Sequence, residues 1–289
     1  MFEMIIKPKR AERKPSSMFF IGLFYGIVSL LLVNFVFKGD TVLMEGAGLL
    51  LVLLTVLFCL PFVYFIIKLE EGKDVEITDS GKLIKEHSKA ISALLWLFLG
   101  IVVAFSVGYI LLGPQAPANF NFQIKTFCAI NSPQSYNQCL NQYGLISGAA
   151  TGTGYFMRIL LNNLQVMIFT LLFSLIFGAG AIFILVWNAS VIAAAIGLFA
   201  KQGLWGLPCA YLRYLFHGIP EIAAYFVAAL AGGIISVAII RKDLRDERLW
   251  NILQDALILF IIAIVILIIS GLMEVYLTPG IIDFLHCGA

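Results

Sequence analysis

Charge is what this chain has least of. Asp, Glu, Lys and Arg make up 12% of its 289 residues, roughly half the share of an ordinary soluble domain. That scarcity excludes a soluble globular protein, and a net charge of +2 gives no ground for a nucleic-acid partner. Histidine is scarcer, with three in all. A catalytic zinc takes about three protein ligands and keeps one position open. His87 and His286 fall on opposite sides of the membrane in the topology derived below. There is no H-E-x-x-H, no G-x-S-x-G, no C-x-x-C pair and no cofactor-binding signature. A metal hydrolase is therefore the weakest reading, and no metal, cofactor or enzymatic activity is expected. The glycines from Gly148 to Gly154 lack the lysine and strand–helix setting of a phosphate loop and read as a turn. No repeat of 20–50 residues is visible.

What the chain has instead is apolar length: 61% hydrophobic residues and a mean hydropathy of +0.98. The expected fold class is all-α, a polytopic transmembrane helical bundle of about seven spans. Residues 1–17 form a basic arm with Lys7, Lys9, Arg10, Arg13 and Lys14, which reads as a cytoplasmic anchor able to meet anionic headgroups. The apolar run after it is long enough to span and lacks a small-residue cleavage site, so no signal peptide is expected. Residues 18–112 hold three N-terminal spans, over 18–37, 42–67 with a kink at Pro61, and 90–112 stopped by Gly113-Pro114. Between the second and third, residues 68–89 read as a solvated, salt-bridge-laced loop or short helix, with His87 as a surface histidine.

Residues 113–157 form an outer polar segment rich in Asn and Gln. Its aromatics Phe120, Phe122, Phe127, Tyr136 and Tyr143 are expected to pack a small cap on the membrane surface. Residues 158–289 form a C-terminal transmembrane bundle. A fourth span covers 159–187, a short piece 188–200 follows, a sixth span ends at Ile240, and the seventh covers 251–277. Around 188–218 a broken or re-entrant segment is expected, because 188–200 is short for a crossing.

Positive residues mark cytoplasmic loops. With the N-terminus inside, fourteen of the nineteen Lys and Arg face the cytoplasm. The expected location is a prokaryotic cell membrane, multi-pass, with the N-terminus cytoplasmic and the C-terminus outside. Cys128, Cys139, Cys209 and Cys287 then face outwards, and Cys59 lies in a span. Outward cysteines suggest disulfides. Cys128 and Cys139 share one polar segment and are paired on that ground. Cys209 and Cys287, at the outer ends of neighbouring helices, form the second pair. Four unpaired thiols is the alternative.

One stretch stands apart, His217-Gly218-Ile219-Pro220-Glu221. Pro220 suits the first turn of a helix, and Ile219 is biased towards extended geometry by the proline after it. A break at Gly218 is therefore expected, with Glu221 on the positive end of the next helix. Counting along the helices at 1.5 Å per residue puts Arg158, Asn162, Asn163, Arg213, His217, Glu221 and Glu274 at one membrane level. An unpaired charge costs about 2.5 kcal/mol or more at the bilayer centre. These groups should converge, with Glu221 contacting Arg213, His217 or Arg158. They form either a structural cluster or the lining of an ion or solute pathway.

Over residues 158–233 the pattern resembles the stage II sporulation protein M family. The carrying residues are Asn162-Asn163 at a helix start, Gly178 and Gly180 near its end, Asn188 with Gly197, His217-Gly218-x-x-Glu221 around Pro220, and Gly232-Gly233. Ala189 stands where the family often has glycine after the asparagine. The first 110 residues match only as hydrophobic spans. The resemblance implies a membrane anchor: in sporulating bacteria the family member belongs to a complex that carries cell-wall-cutting partners. Relatives in organisms that never sporulate imply a wider role. The leading expectation is a membrane-embedded scaffold or assembly factor. The alternative is a transporter or channel whose pathway is lined by His217, Glu221 and Glu274. Expected partners are the lipid bilayer, other membrane or envelope proteins and, in a homo-oligomer, further copies of the chain.

Overall fold

The computed structural model describes residues 8–37, 39–76, 80–131, 136–142, 153–177, 180–200, 203–240, 246–285 and 287. A short arm helix, α1 (Pro8–Arg13), leads into α2 (Ser17–Leu31), which widens into a π turn over Leu32–Val36. The Asp40 carboxylate accepts from the backbone N–H of Val42 and Leu43, each at 3.0 Å, and caps α3 (Thr41–Glu45). Two long helices follow, α4 (Ala47–Glu76) and α5 (Ser80–Leu112). Gly113, at φ +51°, ends α5 in the left-handed region that glycine enters without steric cost. Then come α6 (Ala116–Asn119), α7 (Asn121–Asn131) and α8 (Tyr136–Gln142). The second half holds α9 (Thr153–Phe177), α10 (Ala181–Phe199), a 3-10 turn at Gly203–Gly206, α11 (Leu207–Ile240) and α12 (Asp246–Leu272). A π turn over Met273–Leu277 and α13 (Thr278–Phe284) close the chain. Among the described residues there is no strand, and seven helices are long and apolar enough to cross a membrane. The bundle thus has an arm end, near α1, and a disulfide end, where the four paired cysteines lie.

Three sequence expectations are corrected. The apolar run expected as one span over 159–187 is two helices: α9 stops at Phe177 and α10 starts at Ala181 behind Gly180. Gly178 lies outside the described residues. Asn188 therefore sits in the middle of a helix long enough to cross, and 188–200 is not a short re-entrant piece. Within 188–218, α10 ends at Phe199, and a 3-10 turn at Gly203–Gly206 leads into α11. Nor is there a break at Gly218, since α11 runs unbroken through Gly218 and Pro220. A proline inside a helix costs about 3 kcal/mol through its missing N–H and its clash with the preceding turn. Here α11 is the most enclosed of the seven crossing helices, and its packing outweighs that cost. Ser270 Oγ donates to the His217 carbonyl at 2.8 Å, three residues before the proline. The carbonyl that Pro220 leaves without its usual donor is that of Phe216, so this bond from α12 is an added tie beside it.

The third correction concerns 68–89. Both α4 and α5 extend into this stretch, and His87 is not a surface residue. It is buried, with Nδ1 2.8 Å from Glu70 Oε2, and Glu70 is itself fully buried. Lys73 lies 2.6 Å from Glu70 Oε1 and 2.9 Å from Glu12 Oε1 of α1. The arm helix is thereby tied to the bundle by a shared lysine. Its apolar contribution is Ala11, which is fully buried.

Small residues let the helices approach closely, the usual device where lipid provides no hydrophobic drive. A Cβ on Gly22 of α2 would stand 2.0 Å from the Leu97 carbonyl oxygen of α5, and one on Gly100 of α5 2.1 Å from that of Phe19 of α2. Towards the arm end of α11, a Cβ on Gly232 would stand 2.5 Å from the Leu171 carbonyl oxygen, and one on Gly233 2.8 Å from the Ile67 side chain. At that level α11 is close-packed against α9 and α4.

The polar segment does form a cap, but it also reaches into the bundle. Phe120 is fully buried against Phe105 and Tyr109, and Phe127 is buried against Phe199 and Tyr214. Phe122 is exposed, and Tyr143 lies outside the described residues. Gln123 Nε2 donates to the Gly48 carbonyl at 2.9 Å and to Ser190 Oγ at 3.2 Å, fully buried.

Candidate functional site

Helical spacing builds the site. Val191, Ile192 and Ala195 follow Asn188 on one face of α10, and Arg158 and Asn162 share a face of α9. Tyr214, His217, Gly218 and Glu221 do the same on α11. These faces meet at the disulfide end and leave a cavity of about 370 Å³ between them. Its polar lining is Arg158, Asn162, Asn163, Asn188, His217, Glu221 and, from the π turn after α12, Glu274. Phe127, Ala129 and Ile130 of α7 complete the wall.

Within the cavity Glu221 Oε1 accepts from the Tyr225 hydroxyl at 2.7 Å, and Asn163 is within hydrogen-bonding reach of the same carboxyl. Asn162 Nδ2 donates to Asn163 Oδ1 at 3.2 Å, so the two amides act as one unit. Asn188 Nδ2 donates to the Ile184 carbonyl of its own helix at 2.8 Å. His217 Nδ1 is 3.3 Å from Thr278 Oγ1, and Nε2 is 3.9 Å from Glu274 Oε1. The Thr278 hydroxyl proton is committed to the Met273 carbonyl at 3.0 Å. His217 Nδ1–H must therefore be the donor to Thr278. Nε2 is left facing Glu274.

Of the sequence-predicted cluster, one member is elsewhere. Each four-residue step along a helix turns about 40°. Arg213, two such steps from Glu221, points instead at α10, with its guanidinium 4.7 Å from the centre of the Phe199 ring. The expected arginine contact of Glu221 is also corrected. Among the described residues no cation stands within ion-pair distance of Glu221, and its partners are Tyr225 and Asn163. Arg158 is exposed at the rim. Tyr225 follows Glu221 by four residues, a signal present in the sequence. Thr278, Ser270 and the α7 wall had none, since each reaches the site only through the tertiary fold. Among the described residues no three or more His, Cys, Asp or Glu are grouped to hold a metal ion.

Both cysteine pairs lie on elements that build the cavity, α7 and α11. Cys128, between the lining residues Phe127 and Ala129, is joined to Cys139 of α8 with S–S 2.04 Å. Cys209, two turns before His217 on α11, is joined to Cys287 beyond α13 with S–S 1.99 Å. Cys59 is free and buried.

Residues 91–279 match the family model described as Stage II sporulation protein M. The match starts inside α5, well ahead of the 158–233 stretch, and runs into α13. An uncharacterized protein of Methanocaldococcus jannaschii is 33% identical over 135 residues, which cover 45% of this chain and 74% of that one. No solved structure matches the chain.

Proposed function

This chain belongs to the stage II sporulation protein M family, and from that premise we propose that it binds a small polar solute within the membrane, in the manner of a transporter. The cavity at the disulfide end carries this reading. Seven polar side chains from three helices and a π turn face one space of about 370 Å³. Polar groups facing lipid would be costly, and within spans they line substrate pathways or pair with one another. Among the described residues they pair only in part, through Asn162 with Asn163, Asn163 with Glu221 and the 3.9 Å approach of His217 to Glu274, and no ion pair engages Arg158. His217, Glu221 and Glu274 are the solute contacts, the asparagines supply neutral donors and acceptors, and the two disulfides tie α7 to α8 and α11 to the segment beyond α13.

A scaffold or assembly role is the second reading. What favours it is the close packing around Gly232 and Gly233, where an added Cβ would meet the α9 backbone and the Ile67 side chain of α4. In that case the cavity is a docking recess. Uptake of radiolabelled amino acids, amines and carboxylic acids into proteoliposomes tests the two. Uptake above that of empty liposomes, lost in Glu221→Gln, supports solute binding and transport. Uptake equal to empty liposomes for all three classes, with envelope proteins co-purifying from native membranes, supports the scaffold.

A further inference from the structure

We propose that the cavity selects a zwitterion of α-amino-acid size, its carboxylate on Arg158 and its ammonium between Glu221 and Glu274. This deepens the solute-binding reading and rests on it. The cavity holds charged groups of both signs that do not neutralise each other. Arg158 stands at the rim and the two acids on the opposing helices. Among the described residues no ion pair links Arg158 to either. A guanidinium is a planar fork that matches a carboxylate with two parallel hydrogen bonds. An ammonium brings three donors and no acceptor, which carboxylate oxygens and the Asn163 amide oxygen can receive.

The spacing limits the ligand. Arg158 precedes Asn163, the α9 partner of Glu221, by five residues, about 7.5 Å of helix rise. The long arginine side chain can close much of that distance. The two charged ends of the ligand must then be only a few atoms apart. A diamine would bring one ammonium against Arg158, and a dicarboxylate would bring one carboxylate against the two acids. A neutral molecule would bring no cation to the two acids and make no use of Arg158. At about 370 Å³ the cavity is at the small end of ligand pockets. That suits one amino acid rather than an extended peptide.

Thermal stability of the purified full chain, measured with free α-amino acids, their methyl esters and their N-acetyl derivatives, tests this without any mutation. The free amino acid should stabilise the protein. The ester, which loses the carboxylate, and the N-acetyl form, which loses the ammonium, should each bind roughly tenfold to hundredfold more weakly, the usual loss for one charge-assisted hydrogen-bonding partner. In Arg158→Gln the acid and its ester should bind equally, and in Glu221→Gln the gap between the acid and its N-acetyl form should narrow, Glu274 keeping the rest. An ester that stabilises the native protein as well as its acid overturns the inference and leaves solute binding standing. If no compound stabilises it, the inference is overturned, and reactivity of Asn188→Cys towards a water-soluble thiol reagent separates the two failures. A reactive cysteine leaves a hydrated cavity for another solute, whereas an inert one removes the solute-binding reading as well.

Discussion

The Tyr225 hydroxyl donates to Glu221 Oε1 at 2.7 Å, one turn along the same helix, and Tyr225 is fully buried. The acid that lines the cavity is thus positioned from beneath by a side chain that does not itself line it. Tyr225→Phe should keep the ring's packing and remove only the hydroxyl. Loss of one hydrogen bond to a buried acid predicts about 1–2 kcal/mol of destabilisation. Combined with Glu221→Gln, the two changes should be non-additive, because they touch one interaction. A thermal melt of the two single variants and the double variant checks this. Strict additivity would show that the contact contributes nothing.

The crossing of α2 and α5 is set by Gly22 and Gly100, where an added Cβ would meet backbone oxygen at 2.0 and 2.1 Å. Backbone cannot step aside as a flexible side chain does. Gly100→Ala should therefore cost about 2 kcal/mol, within the range for overpacked sites. Gly72→Ala, inside α4 where a Cβ meets nothing within 4 Å, is the control and should be neutral to stabilising by up to about 1 kcal/mol. Equal melting temperatures for the two variants would contradict the packing described for these spans.

Much of this was legible in the sequence. Apolar length located the crossing helices, and the level count along them brought six of its seven polar residues to one cavity. What failed was local. Pro220 and Gly218 read as a break, because proline rules describe an isolated helix and α11 is held on most sides by neighbours. His87 read as solvated, because nothing local shows that α1, α4 and α5 bury the Glu70–His87 pair between them. The wall from α7 could not be foreseen either, since it depends on where a cap settles after the bundle has formed.

The arm should respond to pH. Burial, with help from the neighbouring Glu70, raises the Glu12 carboxyl from its ordinary 4.5 to about 7, against the opposing pull of Lys73. Lys73, Glu70, Glu86, His87 and Asp255 are the other titratable groups around this cluster. A docked carboxyl that holds its proton more tightly than a free one favours docking most at low pH. The Glu12 contribution is full below about 4.5 and is lost as pH rises towards 7. Hydrogen exchange of residues 8–13, corrected for intrinsic rates, should show protection falling across that window. Glu12→Gln should flatten the profile. Protection that rises with pH would reverse the assigned sign.

Non-reducing peptide mapping should recover Cys128 linked to Cys139 and Cys209 linked to Cys287. Closing chains of 11 and 78 residues stabilises by about 3 and about 4.5 kcal/mol in chain-entropy terms. Reduction should accordingly lower the melting temperature, and more so for Cys209→Ser than for Cys139→Ser. Four free thiols in protein from native membranes would contradict the wall arrangement at the disulfide end.

Hydration of the cavity is the central claim, and the chain's own cysteines make it measurable. Four are paired and Cys59 is buried, so the native protein gives little background with a thiol reagent. Asn188 sits mid-helix on α10, at a depth where a lipid-facing cysteine would react poorly with a charged, membrane-impermeant probe. The measurement is labelling of Asn188→Cys by a methanethiosulfonate ammonium reagent added from the disulfide side, with Phe169→Cys, an exposed apolar position at similar depth on α9, as the lipid-facing control. The predicted result is fast labelling at 188 and slow labelling at 169. Equal, slow labelling at both positions would mean that the cavity is closed to water, and the solute-binding account would fall with it.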